Sequence, residues 1–201
     1  MMSKSEFEHE FQNHNQVFVE KEVKKVSLKK RNTDLNLVSE STVGRLSEVE
    51  TSIPNYSGAN LSGTDLSEAN LMGVYLNGTD LSHADLRGAN LQNADLRGAN
   101  LSYANLKGAK LLGALLNYTD LSYANLSHTD LRNANLSCAD LIHTNLNKAN
   151  LTNACLFSAN FRDANLNEAN LTHADLSCSN LRKARIRDTN LRNANLNYGK
   201  L

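Results

Sequence analysis

A leucine recurs at every fifth residue from Leu61 to Leu201, through 29 consecutive units without an insertion or a deletion, and only Phe161 and Ile186 take its place. The position two residues before each of these centres holds Ala, Thr or Ser in nearly every unit, and the position one before holds Asn or Asp in all but six. A period of five fits neither the turn of a helix nor the alternation of a strand. The pattern therefore indicates one five-residue structural unit repeated along the chain, and not an ordinary series of helices and strands.

This repeat resembles the pentapeptide repeat family, whose motif is A(D/N)LXX, and the resemblance covers residues from about 57 to 201. It implies an all-β solenoid, a right-handed quadrilateral β-helix in which each unit forms one side and four units, or 20 residues, complete a coil. In that geometry each side is a short extended piece followed by a bend, and the leucine and the small residue are expected to point inwards. Successive coils then pair as parallel strands about 4.8 Å apart, and an Asn or Asp near a bend can bond its own backbone. We expect an N-terminal segment over residues 1–54 and the β-helix over residues 55–201.

Glycine marks the corners of the early units. It occupies the position two residues after the centre in eight units up to Gly113, which predicts a positive φ there. In the units after Gly113 the same position holds larger residues such as Tyr, His, Asn and Cys. We therefore expect a different corner conformation in the later units.

Residues 1–54 lack the five-residue period and end at the only proline, Pro54. Phe7, Phe11 and Phe18 follow the spacing of one helical face, so the segment is predicted to be helical and to contain a short second helix near residues 43–49. Three interpretations remain open. The segment covers the first coil, because a bare solenoid end exposes apolar side chains and unpaired edges; it is a flexible tail; or it docks on a partner or a membrane surface through these phenylalanines.

Charge and cysteine content limit the environment of the chain. Its 21 Lys plus Arg balance 21 Asp plus Glu, so no overall field attracts it to nucleic acid or to a membrane. The sequence has no apolar run long enough to span a bilayer and no secretion signal at its start. Three cysteines without close pairing are typical of a reducing compartment. We expect a cytoplasmic protein with three free thiols that binds neither nucleic acid nor membranes.

The sequence contains none of the motifs that carry catalysis or cofactor binding. It lacks a Gly-rich phosphate loop, a nucleophile elbow and paired histidines at metal-ligand spacing. A filled solenoid also forms no cleft of the kind that catalysis needs. We therefore expect no enzyme activity, and no catalytic, cofactor-binding or metal-binding residues.

One column of aromatic residues is a candidate interaction site. Residues 20 apart are expected to lie above one another, and one such column carries His83, Tyr103, Tyr123 and His143. The column is interpreted either as a binding stripe or as ring-on-ring packing between coils. Metal binding is disfavoured because the two histidines would lie roughly 14 Å apart by coil spacing, which is too far for a shared ion.

A second candidate is the apolar stretch "KLLGALLNY". Leu111 and Leu116 are the centres in this stretch, so Leu112 and Leu115 are expected to face outwards beside Tyr118. These three residues are interpreted either as a contact patch or as isolated surface side chains, which are common.

Basic residues crowd the final coil and a half. They are interpreted either as a site for an anionic partner or as charges that keep the open solenoid end from stacking on another molecule. The residues are Arg182, Lys183, Arg185, Arg187 and Arg192.

The leading functional hypothesis is a non-enzymatic structural or protein-interaction module that presents flat walls to an unidentified protein partner, as a monomer or a weak homodimer. The alternative follows from the resemblance, because some members of the family bind DNA gyrase by imitating duplex DNA and confer quinolone resistance. Those members are acidic rods. Residues 57–201 carry 13 Lys plus Arg against 12 Asp plus Glu, and this near-neutral balance disfavours the alternative.

Overall fold

The computed structural model describes residues 53–200, which form one continuous four-sided solenoid. The residue before each centre makes a parallel bridge with its equivalent 20 residues later, from Asn55↔Tyr75 to Asn180↔Lys200. A turn separates each bridged residue from the next. Residues 53–200 therefore contain isolated bridges rather than extended strands, and they include no helix and hence none that could cross a membrane.

The four walls are numbered in chain order from the centre at Leu61, and each corner takes the number of the wall that it follows. The corner residue is the one two positions after a centre. Walls 1 to 4 carry, respectively, the centres Leu61 to Leu181, Leu66 to Ile186, Leu71 to Leu191 and Tyr56 to Leu196.

The interior is filled by the centres and the small residues two positions before them. In mid-rod Leu126 is 0% exposed and Ala124 is 1% exposed, and Phe161 is accommodated at 0%. Burying a leucine side chain contributes about 1.5–3 kcal/mol. The sequence-based prediction that the leucine and the small residue face inwards is confirmed.

Backbone hydrogen bonds join each unit to the coils on both sides. The Leu101 N–H donates to the Asp120 carbonyl at 2.7 Å, and the Asn105 N–H donates to the Ala84 carbonyl at 2.9 Å. Within the unit, the Ala104 N–H donates to the Leu101 carbonyl at 3.0 Å and closes the corner. The same pattern repeats along the rod, so the length of the unit is set by one bridged residue and one turn.

The Asn or Asp before each centre supports the bend through its side chain, as expected. The Oδ1 of Asp120 accepts the Ser122 N–H at 2.9 Å, and the Oδ1 of Asn100 accepts the Ser102 N–H at 3.0 Å. Aspartate and asparagine serve equally well because both offer this oxygen.

The expected change of corner conformation after Gly113 is wrong. The corner residue has φ between 64° and 70° at the eight glycines and between 56° and 62° at the 21 other residues. The reason is the hydrogen bonding between coils. The Gly98 N–H donates to the Asn117 carbonyl and the Tyr123 N–H donates to the Ile142 carbonyl, both at 2.9 Å. This bond requires the same backbone conformation whether or not the residue carries a β-carbon.

The two ends of the described solenoid differ in burial. Leu61, Leu66 and Leu71 in the first coil are 0–2% exposed. In the last coil, Ile186 is 43% exposed and Leu191 is only partly buried. The predicted helices of the N-terminal segment, with Phe7, Phe11 and Phe18, lie outside the described residues. Of residues 1–54, only the last two positions are described.

Candidate interaction surface

Corner 1 carries four aromatic rings on four consecutive coils. The ring centroids of His83 and Tyr103 are 4.9 Å apart, those of Tyr103 and Tyr123 are 4.8 Å apart, and those of Tyr123 and His143 are 4.8 Å apart. The angles between successive ring planes are 7°, 2° and 25°. The predicted column is confirmed as a continuous stack, which we call the aromatic ladder.

The aromatic ladder contributes little net stability. Each of its tyrosines has a φ of 60°, and the left-handed region costs a residue with a β-carbon about 1–2 kcal/mol. The three stacked pairs return about 0.5–1.5 kcal/mol each, which nearly cancels the cost at the two tyrosines. What remains is a row of ordered rings at the surface, where Tyr103 is 53% and Tyr123 is 49% exposed.

Wall 1, which leads into the aromatic ladder, carries carboxylates without a neighbouring cation. Asp80, Asp120 and Asp140 accept the backbone N–H two residues later at 2.9–3.1 Å. None of these three carboxylates is part of an ion pair within residues 53–200. The outward positions of wall 1 between Asp80 and His143 contain no Lys or Arg.

On the other walls between residues 80 and 143, the aspartates at the equivalent position are neutralised by an arginine two residues later. The side-chain hydrogen bond from the arginine lowers the pKa of each of these aspartates below its ordinary value. The pairs are Asp85–Arg87 at 2.5 Å on wall 2, Asp95–Arg97 at 2.7 Å on wall 4 and Asp130–Arg132 at 2.7 Å on wall 3. Uncompensated negative charge in the middle of the rod is therefore concentrated on wall 1.

The opposite flank of the aromatic ladder, on wall 2, is a row of amides. The Nδ2 of Asn125 donates to the Oδ1 of Asn105 at 3.3 Å, Asn145 donates to Asn125 at 3.3 Å, and Asn165 donates to Asn145 at 3.1 Å. These bonds tie successive coils together, and wall 2 also carries the exposed Lys107 and the Asp85–Arg87 pair. The aromatic ladder thus separates the aspartates of wall 1 from a wall without an uncompensated aspartate between residues 80 and 143.

The structure places the second sequence-based candidate on two walls. Leu112 lies half-buried on wall 3, Leu115 is 37% exposed at a bridged position of wall 4, and Tyr118 is highly exposed at corner 4. The corner at Gly113 separates the two leucines. These residues line two adjoining walls instead of one flat patch.

No three His, Cys, Asp or Glu side chains of residues 53–200 lie close enough together to hold a metal ion. The histidines of the aromatic ladder, His83 and His143, stand at its opposite ends. The three cysteines are unbridged, and the Sγ of Cys155 lies 3.1 Å from the Oγ of Ser137.

Sequence reasoning missed the contrast between paired and unpaired aspartates, although a signal for it was present. The paired acids occur as Asp-Leu-Arg and those of wall 1 as Asp-Leu-Ser or Asp-Leu-Ile. Because the residues on either side of a centre both face outwards, an arginine at that spacing reaches the carboxylate. Between residues 80 and 143, the second residue after each aspartate identifies the uncompensated wall. Nearer the ends, Asp65 on wall 2 and Asp175 on wall 4 are also followed by serine.

Comparison with known proteins agrees with this geometry. Overlapping segments from residues 57–93 to 154–193 match the family described as pentapeptide repeats, in 8 copies. A search of curated proteins found no match. The chain belongs to the pentapeptide repeat family, and its solenoid is the right-handed quadrilateral β-helix of that family.

Several solved structures are similar to this chain. HetL, a pentapeptide repeat protein involved in heterocyst differentiation regulation in the cyanobacterium Nostoc sp. strain PCC 7120, is 37% identical over 73% of this chain and 76% of its own, with a TM-score of 0.44. A trypsin-treated form of QnrB1, a plasmid-mediated fluoroquinolone resistance protein, is 27% identical over 73% of this chain and 77% of its own, with a TM-score of 0.53. Another Nostoc pentapeptide repeat protein is 42% identical over 43% of this chain and 69% of its own, with a TM-score of 0.40.

Proposed function

We propose that this chain is a non-enzymatic protein-interaction module and that its binding surface is wall 1 with the aromatic ladder. The observation that carries the proposal is the row of four stacked rings, ordered but half-exposed, at the edge of a flat wall. Exposed, ordered aromatic side chains are favoured in protein interfaces because they offer large contact areas at little entropic cost. The leucine-filled interior supports the same proposal, since it places all variable side chains on the outer walls.

Photo-crosslinking in the native cell tests this function. A benzophenone amino acid replaces Tyr123 on the aromatic ladder, and the matched control replaces Asn133, which is exposed at corner 3 on the same coil. We expect a discrete protein adduct from position 123 that is lost when Tyr103 is also replaced by glycine. The absence of an adduct from a folded protein, or equal adducts from both positions, contradicts the proposal.

A second candidate function is protection against fluoroquinolones, favoured by the similarity to QnrB1 at a TM-score of 0.53. The surface charge argues against it, because imitation of duplex DNA needs a continuous acidic surface. In this chain Asp85, Asp95 and Asp130 are neutralised by arginine. A sensitive bacterium that expresses the chain should show an unchanged inhibitory concentration of a fluoroquinolone. A reproducible several-fold rise favours the second function.

A further inference from the structure

We propose that the partner contributes a short basic segment, with Lys or Arg side chains that bind the aspartates of wall 1 and lie along the aromatic ladder. This inference rests on the proposed function and adds the chemistry of the partner. It places the contact on Asp80, Asp120 and Asp140 together with Tyr103 and Tyr123.

The first argument is the charge of the wall. The hydrogen bonds that hold these three carboxylates all use Oδ1, so each aspartate is fixed in place and keeps Oδ2 for a donor from the partner. Uncompensated carboxylates attract and orient a cationic partner. They repel the phosphates of a nucleic acid for the same reason.

The second argument is the chemistry of the rings. Lys and Arg side chains pack their apolar stems against such surfaces while the charged end reaches a carboxylate, and a guanidinium also interacts well with aromatic rings and hydroxyl groups. Tyr103 and Tyr123 are already held 4.8 Å apart by stacking. Binding therefore needs little further ordering of these side chains, which otherwise costs about 0.5–1.5 kcal/mol for each one immobilised.

The third argument is the length of the site. Asp80 and Asp140 are three coils apart, which corresponds to about 14 Å and to about five residues of an extended chain. A basic segment of this size matches both the acidic stretch and the aromatic ladder, because each occupies the same four coils. The neutral amides of wall 2 then lie at the edge of the contact.

Binding of a labelled hexa-arginine peptide, followed by fluorescence anisotropy at physiological salt, tests the partner chemistry. The double variant Asp120→Asn with Asp140→Asn keeps the Oδ1 acceptors and removes two charges from wall 1. The matched control, Asp130→Asn with Asp175→Asn, removes two charges from walls 3 and 4. We expect the wall 1 variant to weaken binding at least about tenfold, as loss of close charge pairs does, and the control to weaken it less than about twofold.

A variant of the rings completes the test. Tyr103→His with Tyr123→His keeps four stacked rings but removes both hydroxyl groups, and we expect weaker peptide binding with an unchanged melting temperature. Equal weakening by the two aspartate variants shows general attraction to an acidic protein and overturns the proposal. Binding of hexa-glutamate or duplex DNA at this wall overturns it as well.

Self-association is the remaining outcome, because the last coil of a second copy is itself basic. Sedimentation velocity of the full chain distinguishes it: association that Asp120→Asn with Asp140→Asn abolishes makes the occupant a second copy and overturns the partner assignment. If the peptide does not bind wall 1 but position 123 still crosslinks to a protein in cells, the basic partner is wrong and the interaction function stands. If crosslinking also fails, the interaction function is wrong too.

Discussion

The rings of Tyr103 and Tyr123 stack with their centroids 4.8 Å apart and 2° between their planes. This separation equals the spacing of about 4.8 Å between paired strands, so the backbone sets the geometry of the stack. The tyrosines adopt a left-handed backbone that would suit glycine better. The stabilisation from ring stacking at these two tyrosines therefore offsets the backbone strain that a residue with a β-carbon has at positive φ.

Replacing Tyr103 by glycine should separate these two effects. Both Tyr103 and Ser158 have positive φ, at 60° and 56°, so Tyr103→Gly and Ser158→Gly make the same change to the backbone. Only the first removes two ring contacts. The free energy of unfolding of Tyr103→Gly should lie about 1–3 kcal/mol below that of Ser158→Gly, as measured by chemical denaturation. Equal free energies of unfolding for the two variants would show that the stacked rings do not contribute to stability.

A mid-rod centre should be among the most sensitive positions. Leu126 is 0% exposed, and Leu126→Ala should cost about 2–5 kcal/mol because it leaves a cavity between rigid coils. The control is Leu115→Ala, at an outward position, which should cost less than about 1 kcal/mol. Denaturant midpoints of the two variants provide the measurement. Similar losses at both positions would contradict the inward assignment of the centres.

One buried hydroxyl is expected to be unfavourable. Ser179 is 0% exposed and its Oγ has no hydrogen-bond partner within residues 53–200. Ser179→Ala removes this group at a position where the preceding coil already carries Ala159, and should stabilise the protein by about 1 kcal/mol. The control is Thr144→Ala, which loses a 2.8 Å bond to the Leu121 carbonyl and should destabilise it. The melting temperatures of the two variants provide the measurement. A lower melting temperature for Ser179→Ala would contradict the conclusion that its hydroxyl is buried without a hydrogen-bond partner.

Acid should weaken the Asp95–Arg97 pair. The side-chain hydrogen bond from Arg97 lowers the pKa of Asp95 below the ordinary value of 3.8, and the Asp95 side chain is only 9% exposed. Because the folded-state pKa is the lower one, the contribution to stability is fully present above pH 3.8 and is lost as the pH falls through the folded-state pKa. The free energy of unfolding of Asp95→Asn should therefore fall less steeply below that pH. Arg97→Gln should flatten the dependence of the free energy of unfolding on pH in the same way. If neither variant changes this dependence, the Asp95–Arg97 pair is not the source of the acid sensitivity.

Removal of residues 1–50 tests whether the N-terminal segment covers the first coil. Leu61, Leu66 and Leu71 are buried although they begin the described solenoid, whereas Ile186 near the other end is 43% exposed. If the segment covers this end, the truncated chain should melt at a lower temperature and associate, because open β-edges are templates for pairing. Light scattering of the two chains measures this. A monodisperse truncated chain with unchanged melting would assign residues 1–54 to a tail or a docking arm, with Phe7, Phe11 and Phe18 as the first positions to test.

Much of the fold follows from local sequence. A leucine and a small residue recur at fixed places in each unit, and these are the side chains that are buried, as at Leu126 and Ala124. The Asn or Asp before the leucine bends the chain through its own side chain, as at Asp120 and Ser122. The resemblance to a family added the four-sided coil, and the coil in turn predicted the column from His83 to His143.

Contacts between coils were decided by the tertiary structure. The corner at Tyr123 keeps the left-handed backbone of Gly98 because its N–H must reach a carbonyl on the next coil, and no local propensity of tyrosine favours that conformation. The row of amides on wall 2 likewise depends on the coil, which brings Asn105 and Asn125 together although they are 20 residues apart. The pairing of Asp95 with Arg97, in contrast, is already local. The five-residue pattern determined which side chains form the core, because burial depends on the type of residue and on its place in the unit. The contacts between surface side chains on adjacent coils were decided only by the tertiary structure, because the coil determines which residues lie next to one another.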